Sequence, residues 1–202
     1  IIGVILGDGS VSKRNVIALT TIDKEFAEYF ASTLKLWCKK QPKIINYGPS
    51  KMKSPYNGKI CNCKPRYKTY LSSIEASKFL RRKIYYLSWI RKTDNNFKRQ
   101  VLKGLFDSEG CVNSKKDNEV YLEFSNYNKN ILNLFQKLCL DLQIRCNIYH
   151  HRVTIIRRIA VYTFYNSVGL TINRKKEKIV PYLTNLGIST ERQKRLSEIY
   201  PQ

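Results

Sequence analysis

Ile1-Ile2-Gly3-Val4-Ile5-Leu6-Gly7-Asp8-Gly9 and Leu102-Lys103-Gly104-Leu105-Phe106-Asp107-Ser108-Glu109-Gly110 are two copies of one pattern. Each has glycine third, apolar residues fourth and fifth, a small residue seventh, an acid eighth and glycine ninth. The second copy begins 101 residues after the first, in a chain of 202. A repeat at half the chain length predicts two halves of one plan. Alone, Gly-Asp-Gly reads as a turn and Glu-Gly as a helix end. The repetition gives the two acids their weight.

The residues that follow each copy also correspond. Val16–Thr21 and Val120–Ser125 are short β-prone runs, and Val120, Leu122 and Phe124 alternate with Tyr121, Glu123 and Ser125 as in a half-buried strand. Lys116-Asp117-Asn118 supplies hairpin-turn chemistry ahead of the second run. Asp23 is placed to cap a helix with Phe26, Phe30, Leu34 and Trp37 on its apolar face. Asn128 is placed to cap another, with Ile131, Leu132, Phe135, Leu138, Cys139 and Leu142. Strand-like runs follow at 43–48 and 66–72, then at 145–150 and 152–158, and helices at 74–82 and 159–168 close the halves. The expected order is α-β-β-α-β-β-α, twice. The expected boundaries are 1–84 for the first half, 85–98 for a polar linker, 99–189 for the second half and 190–202 for a polar tail helix.

The chain carries 37 Lys+Arg against 15 Asp+Glu, a formal net charge of +22. Such an excess repels itself and implies an acidic partner, of which nucleic acid is the commonest. Its spread over the whole chain argues against one amphipathic membrane-surface helix. The 43% hydrophobic content supports a core and excludes the disorder signature. No apolar run has the length of a membrane span, and no secretory leader is visible. The abrupt start at Ile1, without Met, leads us to expect further residues upstream. Of the six Cys, only Cys61 and Cys63 are close in sequence, with no second pair at zinc spacing. Idle or buried thiols in a reducing compartment, cytoplasmic (with the nucleoid) or organellar, are the expectation. His150 and His151 read as sheet or loop residues, and neither a P-loop nor a His-Asn-His pattern is present.

Arg66, Lys68 and Tyr70 alternate on one strand face, as do Arg145, Asn147 and Tyr149. Cationic and aromatic faces over apolar ones suit sheets lying on a duplex. The stretch 49–65, with Lys51, Lys53, Lys59 and Lys64, reads as a phosphate-contacting loop in which Pro and Gly prevent regular structure. Ser10, Lys13, Arg14, Lys115, Lys116, Arg152 and Arg157 complete the expected DNA contacts.

Gly3 and Gly7, like Gly104 and Ser108, stand four apart on a helix, a spacing that lets helix backbones approach closely. Packing through those faces would bring Asp8 and Glu109 together. Adjacent carboxylates share a proton or hold a cation. Hard divalent cations take such oxygen ligands and can activate water at a phosphorus.

Both motif copies resemble the signature of the LAGLIDADG homing endonucleases, in their single-chain, two-motif form, and the resemblance covers nearly the whole chain. It implies an α+β fold of two pseudo-symmetric αββαββα halves, each with a four-stranded antiparallel saddle-shaped sheet, packed through the motif helices. It implies a monomer that binds double-stranded DNA and cuts both strands with Mg²⁺ or Mn²⁺, leaving short 3′ overhangs; Ca²⁺ would bind without supporting cleavage. Asp8 and Glu109 would be the metal-binding acids, with Gly7 and Ser108 beside them in the metal set. Asn126 and Thr21 would hold the water network, Thr21 departing from the family's usual Gln or Asn. Lys175, and in the first half Lys92, would stand near the scissile phosphates. Leu6 replaces the acid of the signature's sixth position, while Asp107 keeps it as a helix-end group. The unequal halves imply a long asymmetric target and an intron-encoded or free-standing enzyme. The rival expectation is an RNA maturase that binds its host intron RNA, or a non-catalytic nucleic-acid-binding regulator on the same fold.

Overall fold

The computed structural model describes residues 1–53, 58–114 and 119–184. The chain divides into two compact units, Ile1–Tyr86 and a second from Leu87 onward. The first contains α1 (Ile2–Leu6), β1 (Gly9–Val11), β2 (Val16–Thr21), α2 (Lys24–Cys38), β3 (Lys43–Tyr47), β4 (Ser50–Lys53), β5 (Ile60–Cys63), β6 (Arg66–Ser72) and α3 (Ile74–Tyr85). The second opens with a 3-10 turn (Ser88–Lys92). It continues through α4 (Asn95–Glu109), β7 (Gly110–Ser114), β8 (Val120–Ser125), α5 (Lys129–Asp141), β9 (Asn147–Tyr149), β10 (Arg152–Ile155), α6 (Arg158–Ser167) and α7 (Asn173–Thr184).

The repeat holds in three dimensions. Each unit has one four-stranded antiparallel sheet, ordered β1-β2-β6-β3 in the first and β7-β8-β10-β9 in the second. Strand pairing fixes the faces, because directly opposite residues point the same way. In the first sheet Ile17 lies opposite Leu71, and Leu19 opposite Thr69, all buried. Phe26, Ala27, Phe30, Ala31 and Leu34 of α2 cover them, at the spacing of one helix face. The Thr69 hydroxyl donates to Ala27 O at 2.9 Å, so this buried polar side chain is satisfied. In the second unit Phe124 and Phe135 stack at 4.1 Å, and Phe164 packs on Phe106 at 4.9 Å. Burying each such ring stabilises by about 1.5–3 kcal/mol.

Helix starts follow from capping groups. The Asp94 carboxylate accepts from Phe97 N at 2.9 Å, and the Asn128 side chain accepts from Asn130 N at 3.0 Å. Asp23 is the N-cap of α2 by backbone conformation but makes no side-chain cap bond to the helix.

Several expectations need correction. Residues 85–98 are not a plain linker: they hold the end of α3, the 3-10 turn and the first turn of α4. Asp94 caps α4, which therefore begins well ahead of the motif. The stretch 49–65 is not irregular. β4 and β5 pair antiparallel, Ser50 opposite Cys63 and Lys53 opposite Ile60. Gly58 falls between those strands, where it interrupts no pairing, and Pro55 lies outside the described residues. The run at 152–158 is a strand only to Ile155, and Arg157 is the N-cap of α6. Trp37 is 40% exposed and leans on Phe79 of α3 at 5.7 Å rather than entering the core. Lys115, Lys116, the turn at 116–118 and the tail at 190–202 lie outside the described residues.

Candidate functional site

In both units the motif ends at the junction of its helix and the first strand. Asp8 lies between α1 and β1 and is exposed. Glu109 is the last residue of α4 and is half-buried. The glycine after each acid opens the strand. A Cβ on Gly9 would lie 2.9 Å from Val4 O, and one on Gly110 would lie 2.5 Å from Phe106 O. Both glycines are therefore required by the tight passage of the strand over the helix end, which fixes where the acid stands. Gly3 and Gly104 are buried, and Gly7 and Ser108 half-buried. The Ser108 hydroxyl is buried with no hydrogen-bond partner among the described residues.

A helix C-terminus carries negative potential from its unpaired carbonyls, and basic residues ordinarily gather there. Neither α1 nor α4 has a basic residue in its last turn. α4 ends instead on Glu109, and Asp8 follows α1 after Gly7. The donor set at each end, a carboxylate beside backbone carbonyls, is the hard-oxygen chemistry of Mg²⁺, Mn²⁺ and Ca²⁺. No group of three or more His, Cys, Asp or Glu side chains among the described residues could hold a metal.

Lys175 is buried against the end of the second motif helix. It is 3% exposed, and its ammonium donates to Phe106 O and Asp107 O, each at 2.7 Å. It also lies 5.3 Å from the centre of the Phe106 ring. It supplies from α7 the cation that the end of α4 lacks. One turn on, Lys178 donates to Val112 O at 3.3 Å. Asp107 is 1% exposed and accepts from Thr171 N at 3.0 and 3.1 Å. Burial pushes its carboxyl above the ordinary 3.8, while the Thr171 hydrogen bonds and the nearby Lys175 pull the other way. It is a buried helix-end group, as its place in the motif suggested.

Thr21 and Asn126 occupy equivalent places. Thr21 ends β2, and its hydroxyl accepts from Asp23 N at 3.1 Å. Asn126 follows β8, and its side-chain oxygen accepts from Asn128 N at 2.8 Å. Each makes the small turn that launches the next helix. The matched geometry explains why a threonine can stand where the other half has asparagine. Lys92 is exposed at the end of the 3-10 turn.

The outward face of the first sheet is cationic and aromatic. Ser10, Ala18, Tyr70 and Lys43 form one row across it, and Thr20, Lys68 and Ile45 the next. Arg66 lies opposite Tyr47, and the Lys68 ammonium sits 6.0 Å from the Tyr70 ring centre. Lys13 and Arg14, between β1 and β2, are exposed, as are Lys51 on β4 and Lys64 after β5. The side chain of Lys53 lies outside the described residues.

The second face is less basic. Arg152, opposite Tyr149, contacts Glu123 at 3.4 Å. Asn147 and Tyr149 are exposed on β9. Arg145 is not in the strand with them: it precedes β9 and, with Arg157, lines a cavity beside α6. His150 and His151 form the β9–β10 turn, His150 with φ 38°, and His151 stacks on the exposed Tyr127 at 5.1 Å. The sequence reading gave no role to Tyr127 or Arg158. Isolated residues carry no periodic signal.

Residues 96–169 match the family model for a LAGLIDADG-like domain. The uncharacterized protein MJ0314 of Methanocaldococcus jannaschii is 31% identical over 72% of this chain, which spans 56% of that protein's length. Among solved structures, variants of the homing endonuclease I-DmoI align with a TM-score of 0.55 and 19% identity, over 83% of this chain and 92% of that one. Full-length DUF199/WhiA from Thermatoga maritima aligns with a TM-score of 0.56 and 16% identity, over 98% of this chain and 63% of that one. The matched LAGLIDADG-like domain lies in the second half, and the first half repeats its motif and strand order.

Proposed function

We propose that this protein is a site-specific, divalent-metal-dependent DNA endonuclease acting on a long asymmetric duplex target and leaving short 3′ overhangs. The observation that carries this is the retained acid at the same helix–strand junction in each of two like-ordered units. I-DmoI, whose fold this chain shares, has been solved in complex with DNA and Mn. In this reading the chain works as a monomer, intron-encoded or free-standing, in a reducing compartment.

Asp8 beside the Gly7 carbonyl, and Glu109 beside the Ser108 carbonyl, would each offer oxygen ligands to a divalent cation. That cation would lower the pKa of a bound water and neutralise charge on the leaving oxygen. The protein's own contribution is placement. Gly9 and Gly110 fix the acids, and Thr21 and Asn126 border them at the ends of β2 and β8. Exposed Lys and Arg would bind phosphates, and neutralising about 6–10 of them makes affinity fall steeply with salt. Arg66 and Lys68 would read guanine, and Asn147 adenine.

One observation favours a second reading, a nucleic-acid-binding protein that does not cut. Lys175, Thr21 and Asn126, the expected helpers of cleavage, are each engaged in holding the fold. The test is to incubate the purified protein with its intron-less host locus and Mg²⁺. Cutting at one position, mapped by run-off sequencing, supports the endonuclease. Tight binding to intron RNA or duplex without cutting supports the second reading.

A further inference from the structure

We infer that the second unit carries a pocket for the phosphate of a nucleotide, at the start of α6. A cavity of about 550 Å³ lies there, lined by Gln143, Arg145, Arg157, Arg158, Ile159 and Thr163 among others. Three arginines thus converge on one cavity. None of them has a carboxylate partner among the described residues. Arg158 has one neighbour of note, the Tyr182 ring, 5.3 Å from its guanidinium carbon.

The placement opposes ordinary helix electrostatics. The first N–H groups of a helix are unpaired and make that end positive, so acids are favoured there. At α6 there is no acid in the first turn and no side-chain cap. Arg157 is the N-cap and Arg158 the first helical residue. Two cations at the positive end, with a third from the loop before β9, raise the energy of the empty pocket. An anion among them relieves that repulsion and accepts the free N–H groups and guanidinium forks together.

The rest of the lining narrows the ligand. Ile159 is 51% exposed and Ala160 stands beside it, so part of the pocket is apolar. The Thr163 hydroxyl is already committed to Ile159 O at 2.9 Å. A bare inorganic anion leaves that apolar part uncovered. A nucleotide covers it with a base, on which an arginine can stack. The inference does not rest on cleavage, and uses no residue of the motif.

The test is calorimetric titration at low salt and without divalent metal, using 5′-dAMP and, in parallel, deoxyadenosine. The expected result is binding of dAMP alone. The R157Q/R158Q variant should bind it at least tenfold more weakly and R145Q less than tenfold more weakly, while K137Q on α5 binds as wild type. All three arginines are exposed, and circular dichroism of each variant checks its folding before titration. Equal binding of deoxyadenosine, no binding of dAMP, or an unchanged affinity in R157Q/R158Q overturns the inference. Adding duplex DNA then separates two sources. Displacement of dAMP assigns the pocket to a phosphate of the bound strand, and simultaneous binding assigns it to a free nucleotide. Failure of the endonuclease reading shows only in cleavage and leaves this titration unaffected.

Discussion

Replacing Lys175 with methionine removes a buried cation and keeps much of the volume of its stem. Two strong hydrogen bonds disappear, both at 2.7 Å, to Phe106 O and Asp107 O. The carbonyls at the end of α4 lose their donor, and the buried Asp107 loses a favourable charge. Hydrogen bonds to charged groups contribute about 1.5–3 kcal/mol each. Stripping one partner from a buried charged set costs about 3–5 kcal/mol. The K175M variant should therefore be about 3–5 kcal/mol less stable, a fall in Tm of roughly 6–20 °C for a chain of this size. Urea unfolding should show a lowered midpoint with an unchanged slope. The reasoning is refuted if K175M unfolds within about 1 kcal/mol of wild type, the size of an ordinary surface change. Loss of cutting alongside that unchanged stability would return Lys175 to the reaction itself.

The glycines should behave differently from one another. Gly110→Ala drives a Cβ to 2.4 Å from the Phe106 ring and should cost at least the roughly 1–3 kcal/mol of overpacking. Gly169→Ala meets no atom within 4 Å but sits at φ +71°, so it should lose only about 1 kcal/mol. Thermal melts of the two variants give the comparison. Asp107 sets a pH dependence. Its folded pKa is raised above 3.8, so its contribution is full below that value and is lost as pH rises through the folded value. In Asp107→Asn this loss should be absent, and a stability–pH series in urea would show it. Phe135→Ala should destabilise by about 3–5 kcal/mol, since it empties the centre of the second core.

How far the sequence revealed this depended on whether the physics is local. The repeat, the strand order implied by matching segments and the buried faces at Ile17, Leu19, Leu71 and Phe124 were legible from period and spacing. So were Asn128 as a cap and Asp107 as a helix-end group. The β4–β5 pair is not legible because Pro55 and Gly58, in sequence, read as breakers of the whole stretch. Arg145 and Arg157 were placed on strands because alternation continues past the residue where pairing stops. The burial of Lys175 is not legible in the sequence for a different reason. Its partners are backbone carbonyls about 70 residues away, and nothing in Asn173-Arg174-Lys175-Lys176 distinguishes a buried lysine from an exposed one. The exposure of Asp8 and the half-burial of Glu109 became visible only once the helix ends were placed.

The central claim, that one acid from each half serves metal-dependent cutting, is tested most directly by Asp8→Asn and Glu109→Gln. Both variants and the intact protein would be incubated with target DNA and Mg²⁺, with duplex affinity and melting temperature measured on the same samples. The account predicts folded variants that bind the duplex about as tightly as the intact protein and fail to cut both strands. Robust double-strand cutting by either variant would contradict it.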